Sequence, residues 1–418
     1  VGQARAENPM QETGHYPGME DIASWRKEAL QRIEQIRKAD FEVRVVDDNG
    51  RPMAGVPIRL SLERHHFGFG GAVQPKHLFE LGDADRQAFY RDVTSRYFHR
   101  VTISNGLKWK HHAAQKHVVE PFLDWCLKQQ LPVRGHCLVW GGFRRIPDEL
   151  GHLRYDRGAL REAIEKHVTE FASMYDKPLI EWDVLNEPYT DHEFMDLLGN
   201  EAVYDWFRLA QEANPRLIRY INDYGVLTRP SPRHQDFYFD YIKDLLERRV
   251  ALQGIGLQGH IPARFEPTPP EELLATMDRF AVFGLPLQVT EFDFETKDQD
   301  LQARYTADFL TAVFSHPAMT GLVTWTPFEY AKGQGPKPDA AFFDWQLSEK
   351  PNGRVWNSLV NDTWRTRLET TSDGEGLVRF RGFKGSYGLE ALAGSGTVTS
   401  KAKFVDAGER FTLQVPEG

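Results

Sequence analysis

Apolar positions along this chain change their spacing three times. Ile22, Trp25, Ala29, Ile33 and Ile36 recur at intervals of three and four, which predicts an amphipathic helix running to about Ala39. Phe41, Val43 and Val45, and then Val56, Ile58, Leu60 and Leu62, alternate with polar residues instead. Asn49-Gly50 lies between the two runs, so a β-hairpin over 41–62 is predicted. From Phe67 onward, short apolar runs alternate with stretches of helical spacing such as 159–174 and 271–283. Eight runs stand out, around 67–73, 99–103, 132–139, 179–186, 217–222, 253–259, 286–291 and 320–325. Eight strand-then-helix units predict an α/β fold closed into a (β/α)8 barrel rather than an open sheet. After Trp364, Gly-rich turns separate alternating segments at Val378 and Phe380, Tyr387 and Leu389, and Phe411, Leu413 and Val415. The predicted organisation is an arm, helix and hairpin over 1–66, a barrel over 67–365, and a small β module over 366–418 that shares a sheet with the hairpin.

Composition sets limits on this picture. With 418 residues, 41% hydrophobic and 12% aromatic, the chain can bury a large core, and its length suits a barrel of roughly 250 to 400 residues with additions. A formal charge of −9, with no long Lys/Arg block against it, argues against a nucleic-acid partner. No apolar run approaches the ~20 residues that cross a bilayer, so no membrane span is expected. The sequence starts at Val1 without an apolar leader, consistent with a removed signal peptide. Cys126 falls in a helical pattern and Cys137 in a strand, so two buried free thiols are expected rather than a bridge.

The chemistry-bearing residues gather where the predicted strands end. Trp182-Asp183-Val184-Leu185-Asn186-Glu187 delivers one glutamate from the fourth strand, and Leu287-Gln288-Val289-Thr290-Glu291-Phe292-Asp293 another from the seventh. Hydrolysis of a glycosidic bond requires such a pair: one carboxyl protonated to expel the leaving oxygen, the other ionised to attack or stabilise the sugar cation. The remaining ends supply Ser104-Asn105 through Lys108-Trp109, then His136 with Trp140, Asn222-Asp223-Tyr224, Gln258-Gly259-His260, and Trp325. Amides, imidazoles and an ammonium hydrogen-bond hydroxyls, and flat aromatic faces pack against sugar rings. That mixture suits an uncharged polyol better than a phosphate or a peptide.

In this order, over roughly 67–360, these segments resemble glycoside hydrolase family 10, the endo-β-1,4-xylanase family of (β/α)8 barrels. The resemblance implies that Glu187 is the acid/base, that Glu291 is the nucleophile, and that Asn186 holds the 2-hydroxyl of the sugar being cleaved. It also implies that His260 and Asp293 brace the nucleophile. Asn105, Lys108, His136, Trp140, Gln258 and Trp325 would line the subsites on the non-reducing side, and Tyr224 joins the expected substrate-binding set. The implied mechanism is retaining double displacement on a xylan-type polysaccharide or oligosaccharide, without cofactor or metal, by a secreted monomer.

Three departures from the family pattern stand in the chain. Ser104 replaces a usual Glu, Gly141-Gly142 replaces a usual His, and Ala331-Lys332-Gly333-Gln334-Gly335 occupies the place of a second loop Trp. Loss of bulk there would open the cleft to a branched or larger sugar, so another β-glycan or a decorated oligosaccharide is the alternative substrate. An inactive glycan-binding barrel is a more distant alternative. Gly254-Ile255-Gly256-Leu257-Gln258-Gly259 also matches a dinucleotide fingerprint, which requires a helix opening within it; His260-Ile261-Pro262 opposes one. His111-His112 and His192-Glu193 lack the spacing of a zinc helix.

Overall fold

A computed structural model describes residues 15–229, 231–333, 337–393 and 396–416. The predicted arm over 1–18 lies largely outside them. Eight parallel strands form a closed barrel: Gly68–Val73, Arg100–Ile103, Val133–Gly135, Leu179–Asn186, Ile218–Asp223, Gly254–Leu257, Leu287–Phe294 and Met319–Thr324. Each pairs in parallel with its neighbours, and the eighth returns to the first through Gly321 opposite Gly68. The (β/α)8 expectation is met. Two strands are interrupted where the predicted runs were continuous. The third resumes as Val139–Trp140 against strand four, and the sixth as His260–Ile261 against strand seven. The seventh runs on to Phe294, so Glu291 sits within it rather than at its end.

Parallel strands are covered by helices on the outside, and every residue of strand seven is buried. The barrel interior is not wholly apolar. Arg134 is fully enclosed between Glu181, 3.1 Å away, and Asp183; Arg100 reaches Glu181 at 2.8 Å. The Gln288 amide donates to both Glu181 (2.9 Å) and the Tyr220 hydroxyl (2.7 Å). Removing the Arg134 cation leaves two buried carboxylates with one fewer positive partner each. Arg134→Met is expected to cost about 3–5 kcal/mol in denaturant unfolding; a loss below 1 kcal/mol would mean the network is hydrated.

Outside the barrel, the predicted hairpin is overturned. Lys38–Val46 and Pro57–His65 do not pair: the first ends in one bridge, Val46 to Pro52 in the loop, and the two belong to different sheets. The first lies between Leu377–Phe383 and Arg410–Gln414, and the second between Arg367–Thr371 and Gly385–Ala393, with Gly396–Phe404 beyond. The result is a β-sandwich whose inner faces meet through Phe41, Leu60, Phe380, Tyr387 and Phe404, with Phe41 stacked 5.0 Å from Phe404. Period-two alternation demands one buried face but does not name the neighbour. Asn49-Gly50 does turn, with Asp47 accepting from the Asn49 and Arg51 amides, but Pro52 and Pro57 then steer the chain across the sandwich.

Helix Ser24–Ile36 buries Trp25 and Ala29 against Ala312 of helix Gln299–Ser315. Arg26 fixes its start on Asp308 at 2.7 Å. Ile22 precedes the helix and is exposed, so it is no part of the buried stripe. Cys126 and Cys137 are both buried free thiols. Among the described residues, no helix is long and apolar enough to cross a membrane.

Candidate active site

Both glutamates emerge where a strand breaks its register. Strand four shifts against strand five between Asp183 and Leu185, and strand seven against strand eight between Val289 and Phe292. Glu187 follows with φ +53°, a left-handed conformation that a non-glycine residue rarely holds, and its N–H donates to the Asn222 carbonyl at 2.8 Å. The Glu291 N–H donates to the Gln258 carbonyl at 2.7 Å. The Gln258 side chain turns the other way and donates to Glu187 Oε1 at 2.8 Å. One residue therefore holds both acids, through its backbone and through its amide. Gly259, at φ +93°, makes the kink that permits this; a Cβ there would meet Val289 at 2.9 Å.

Glu291 is almost wholly enclosed and heavily solvated by protein. Asn222 Nδ2 donates to its Oε1 at 3.0 Å, His260 Nε2 lies 3.0 Å from its Oε2, and His136 Nε2 lies 4.0 Å from its Oε1. Burial alone would push this carboxyl up, but the His136 and His260 imidazoles and the Lys108 ammonium outweigh it and hold it at about 2. His260 is in turn braced by Asp293, 2.9 Å from Nδ1. Burial works against a charged imidazole, yet Asp293 and Glu291 raise His260 to about 9. Lys337 Nζ closes the chain by binding both Asp293 oxygens, at 2.7 and 2.9 Å. His136 is oriented on the opposite flank by Asp183, 2.8 Å from its Nδ1.

Glu187 sits in the contrasting environment. Burial raises its pKa, reinforced by the negative charges of Glu291 and Asp223 and opposed by the Gln258 hydrogen bond and the Arg145 guanidinium. Trp140 Nε1 donates to Glu187 Oε2 at 3.0 Å, and Arg145 lies 3.9 Å from the same oxygen. Two carboxyls in one cleft are thus pushed in opposite directions, which is the signature of an acid and a nucleophile working as a pair.

The expected substrate-contacting residues are brought to the same mouth. Lys108 is held by Asn105 at 3.2 Å, with its Nζ 5.1 Å from the Trp140 ring and 5.7 Å from the Trp325 ring. Trp325 stands edge-on to His136 and His260. Asn186 accepts from Asn222 at 2.9 Å, while its own Nδ2 is buried without a partner. A donor so placed is ready for a hydroxyl. Tyr224 lies near enough to Glu187 that the carboxylate adds to burial in holding its phenol neutral. Gln258 and Trp140 are already engaged by Glu187, so they hold the acid as well as lining the cleft.

Sequence reading missed several of these supports. Asn222 ties Asn186, Glu291 and, through Thr290 at 2.7 Å, strand seven together; its signal was its place in the Asn222-Asp223-Tyr224 strand end. Asp183 stood inside the Trp182–Glu187 motif without a role assigned to it, and Lys337 and Arg145 carried no motif. The departures also read differently in three dimensions. Ser104 is buried and donates to the Val73 carbonyl at 3.2 Å. Gly141 does not open the cleft: a Cβ there would fall 2.3 Å from the Asp191 carbonyl, so the loop after strand four fills the space. Asp191 then grips Arg144 and Arg145, and Arg145 lies 3.3 Å over the Trp140 ring. Gln334 and Gly335 lie outside the described residues. The 254–259 stretch is a barrel strand followed by another strand, not by a helix, so the phosphate cradle of a dinucleotide site is not formed.

Comparison with known proteins agrees with this geometry. The profile of glycosyl hydrolase family 10 matches residues 59–358. The anti-sigma-I factor RsgI6 of Acetivibrio thermocellus is 27% identical over 400 residues, covering 94% of this chain and 49% of that protein. Endo-1,4-beta-xylanase 1 of Arabidopsis thaliana is 22% identical, covering 91% of this chain and 39% of its own length. This chain therefore spans half or less of those two relatives. Endo-1,4-beta-xylanase B of Thermotoga neapolitana is 30% identical over 251 residues, covering 57% of this chain and 69% of that enzyme. Among solved structures, native xylanase 10B from Thermotoga maritima shares the fold with a TM-score of 0.63 and 24% identity, covering 71% of this chain and 96% of its own. By sequence profile and by barrel, this chain belongs to glycosyl hydrolase family 10.

Proposed function

We propose that this protein hydrolyses the β-1,4-linked backbone of a xylan-type polysaccharide by retaining double displacement. The observation that carries the reading is that Gln258 holds Glu187 and Glu291 together, in surroundings that push their carboxyls in opposite directions. In the first step a Glu291 oxygen attacks the anomeric carbon, and Glu187 gives its proton to the departing glycosidic oxygen. The sugar is then held as an ester of Glu291, whose negative charge is gone. Without that charge Glu187 becomes a stronger acid, and as a carboxylate it takes a proton from the water that cleaves the ester. Asn186 Nδ2 is placed to bind a hydroxyl of the reacting sugar throughout. A polymeric substrate places this work outside the producing cell, as a monomer acting on chains too long to be imported.

Incubation with a panel of xylans, β-glucans and aryl β-xylosides, with products identified, tests the reading. Release of xylo-oligosaccharides with retained anomeric configuration supports it. Cleavage of only a non-xylan glycan would redirect the substrate, and inversion would overturn the mechanism.

The pH profile is a second test. Turnover needs Glu291 ionised and Glu187 protonated, so kcat/KM should rise as pH climbs through about 2 and fall only above the ordinary carboxylate range. His260→Asn removes a cation that favours ionised Glu291. Its acid limb should therefore move to higher pH, by about one unit or more. An unmoved limb would deny His260 that role.

A further inference from the structure

Resting on the glycan-hydrolase reading above, we infer that Arg229 and Arg264, set about Phe265, form a subsite for a negatively charged sugar substituent, so that the preferred glycan carries uronate branches. The two arginines come from the loops that follow barrel strands five and six. Their guanidinium carbons lie 4.4 and 4.9 Å from the centre of the same Phe265 ring. Among the described residues neither arginine makes an ion pair, and Arg229 Nε is buried without a hydrogen-bond partner. The arrangement departs from the rest of a chain with net charge −9, where most arginines grip a carboxylate. Two like charges held on one ring repel each other, and an anion between them relieves that repulsion.

The position ties this pair to the reaction centre. The Thr228 hydroxyl donates to the His260 carbonyl at 2.9 Å, and the Arg229 N–H donates to Thr268 Oγ1 at 3.1 Å, so the loop is stapled to the strand that carries His260. Arg229 and Glu187 both act electrostatically on Tyr224. Asp293, which acts on Arg229, is itself bound by Lys337, and Glu295 accepts from the Ala263 N–H at 3.4 Å. Phe265 is 36% exposed, and its free surface suits the apolar face of a sugar ring. A planar carboxylate matches the guanidinium fork, which a neutral arabinose or acetyl branch does not.

The test is calorimetric titration of two xylo-oligosaccharides of one length, with and without a single glucuronate branch, into wild-type protein and into Arg229→Gln/Arg264→Gln. In wild type at low salt the branched ligand should bind about 10-fold tighter. That preference should vanish in the double variant and shrink in ~0.5 M NaCl, leaving the neutral ligand unaffected. Arg229→Lys/Arg264→Lys should restore part of it. Equal affinity of wild type for the two ligands, equal weakening of both by the Gln variant, or no binding of either ligand overturns the inference. Cleavage of the unbranched oligosaccharide, followed in parallel, reports on the hydrolase reading alone. Preference without turnover sinks that reading and leaves this one standing, and turnover without preference does the reverse.

Discussion

Glu291→Gln is expected to lower kcat by about 10⁵-fold on any glycan this protein cleaves, with the fold intact. The substitution keeps the side chain's shape and its capacity to accept from Asn222, but takes away the charge that His260 and His136 surround. A neutral amide cannot form the sugar ester, and losing a nucleophile that works as part of a unit costs on the order of 10⁵–10⁶ in rate. The measurement is turnover of a xylan and of an activated aryl β-xyloside, with circular dichroism to show that the variant is folded. Both substrates should fail, because the bond from Glu291 to the anomeric carbon forms in the same step in which the leaving group departs, whatever that group is. A folded variant with near-native turnover would remove Glu291 from the reaction and with it the double displacement.

Glu187→Ala should behave differently, and the difference is diagnostic. Its proton helps the leaving oxygen depart, so the loss should be about 10²–10⁴-fold on a polysaccharide, whose leaving group is a poor one. An aryl glycoside with an acidic phenol departs unaided, and its first step should survive. The second step still lacks its base, so the sugar ester should accumulate and appear as a burst of phenol followed by a slow phase. Added azide, a small nucleophile that needs no base, should speed that phase. Equal losses on both substrates and no burst would mean that Glu187 is not the proton donor. Because Trp140 is held in its strand and Gln258 by its backbone bonds to Asp223 and Glu291, neither depends on Glu187 for its position, and the variant should remain folded.

How much of this was readable beforehand differs between parts of the molecule. The barrel was legible because each of its strands is a short apolar run between helical stretches, a pattern that depends on residues close in sequence. The two acids were legible because they stand in short motifs, Asn186-Glu187 and Thr290-Glu291-Phe292-Asp293, whose spacing is also local. The hairpin over 41–62 failed for the complementary reason. Alternation in Phe41, Val43 and Val45 and in Ile58, Leu60 and Leu62 specifies a buried face, yet either a neighbouring strand or a facing sheet satisfies it. Only Leu377–Phe383 and Gly385–Ala393, more than 300 residues later, decided the matter.

The site divides in the same way. Sequence alone named the candidates for the chemistry: two carboxyls, the imidazoles of His136 and His260, the amide of Asn186 and the indoles of Trp140 and Trp325. Tertiary structure decided how each is held and therefore which state it occupies. The charges of His136, His260 and Lys108 outweigh burial and favour ionised Glu291, while burial and the negative charges of Glu291 and Asp223 push Glu187 towards its protonated form. Lys337 reaches Asp293 across 44 residues, and the Asp191 loop fills the space over Gly141. Charge, desolvation and close packing act through space, and no local pattern of residues records which distant groups will share it.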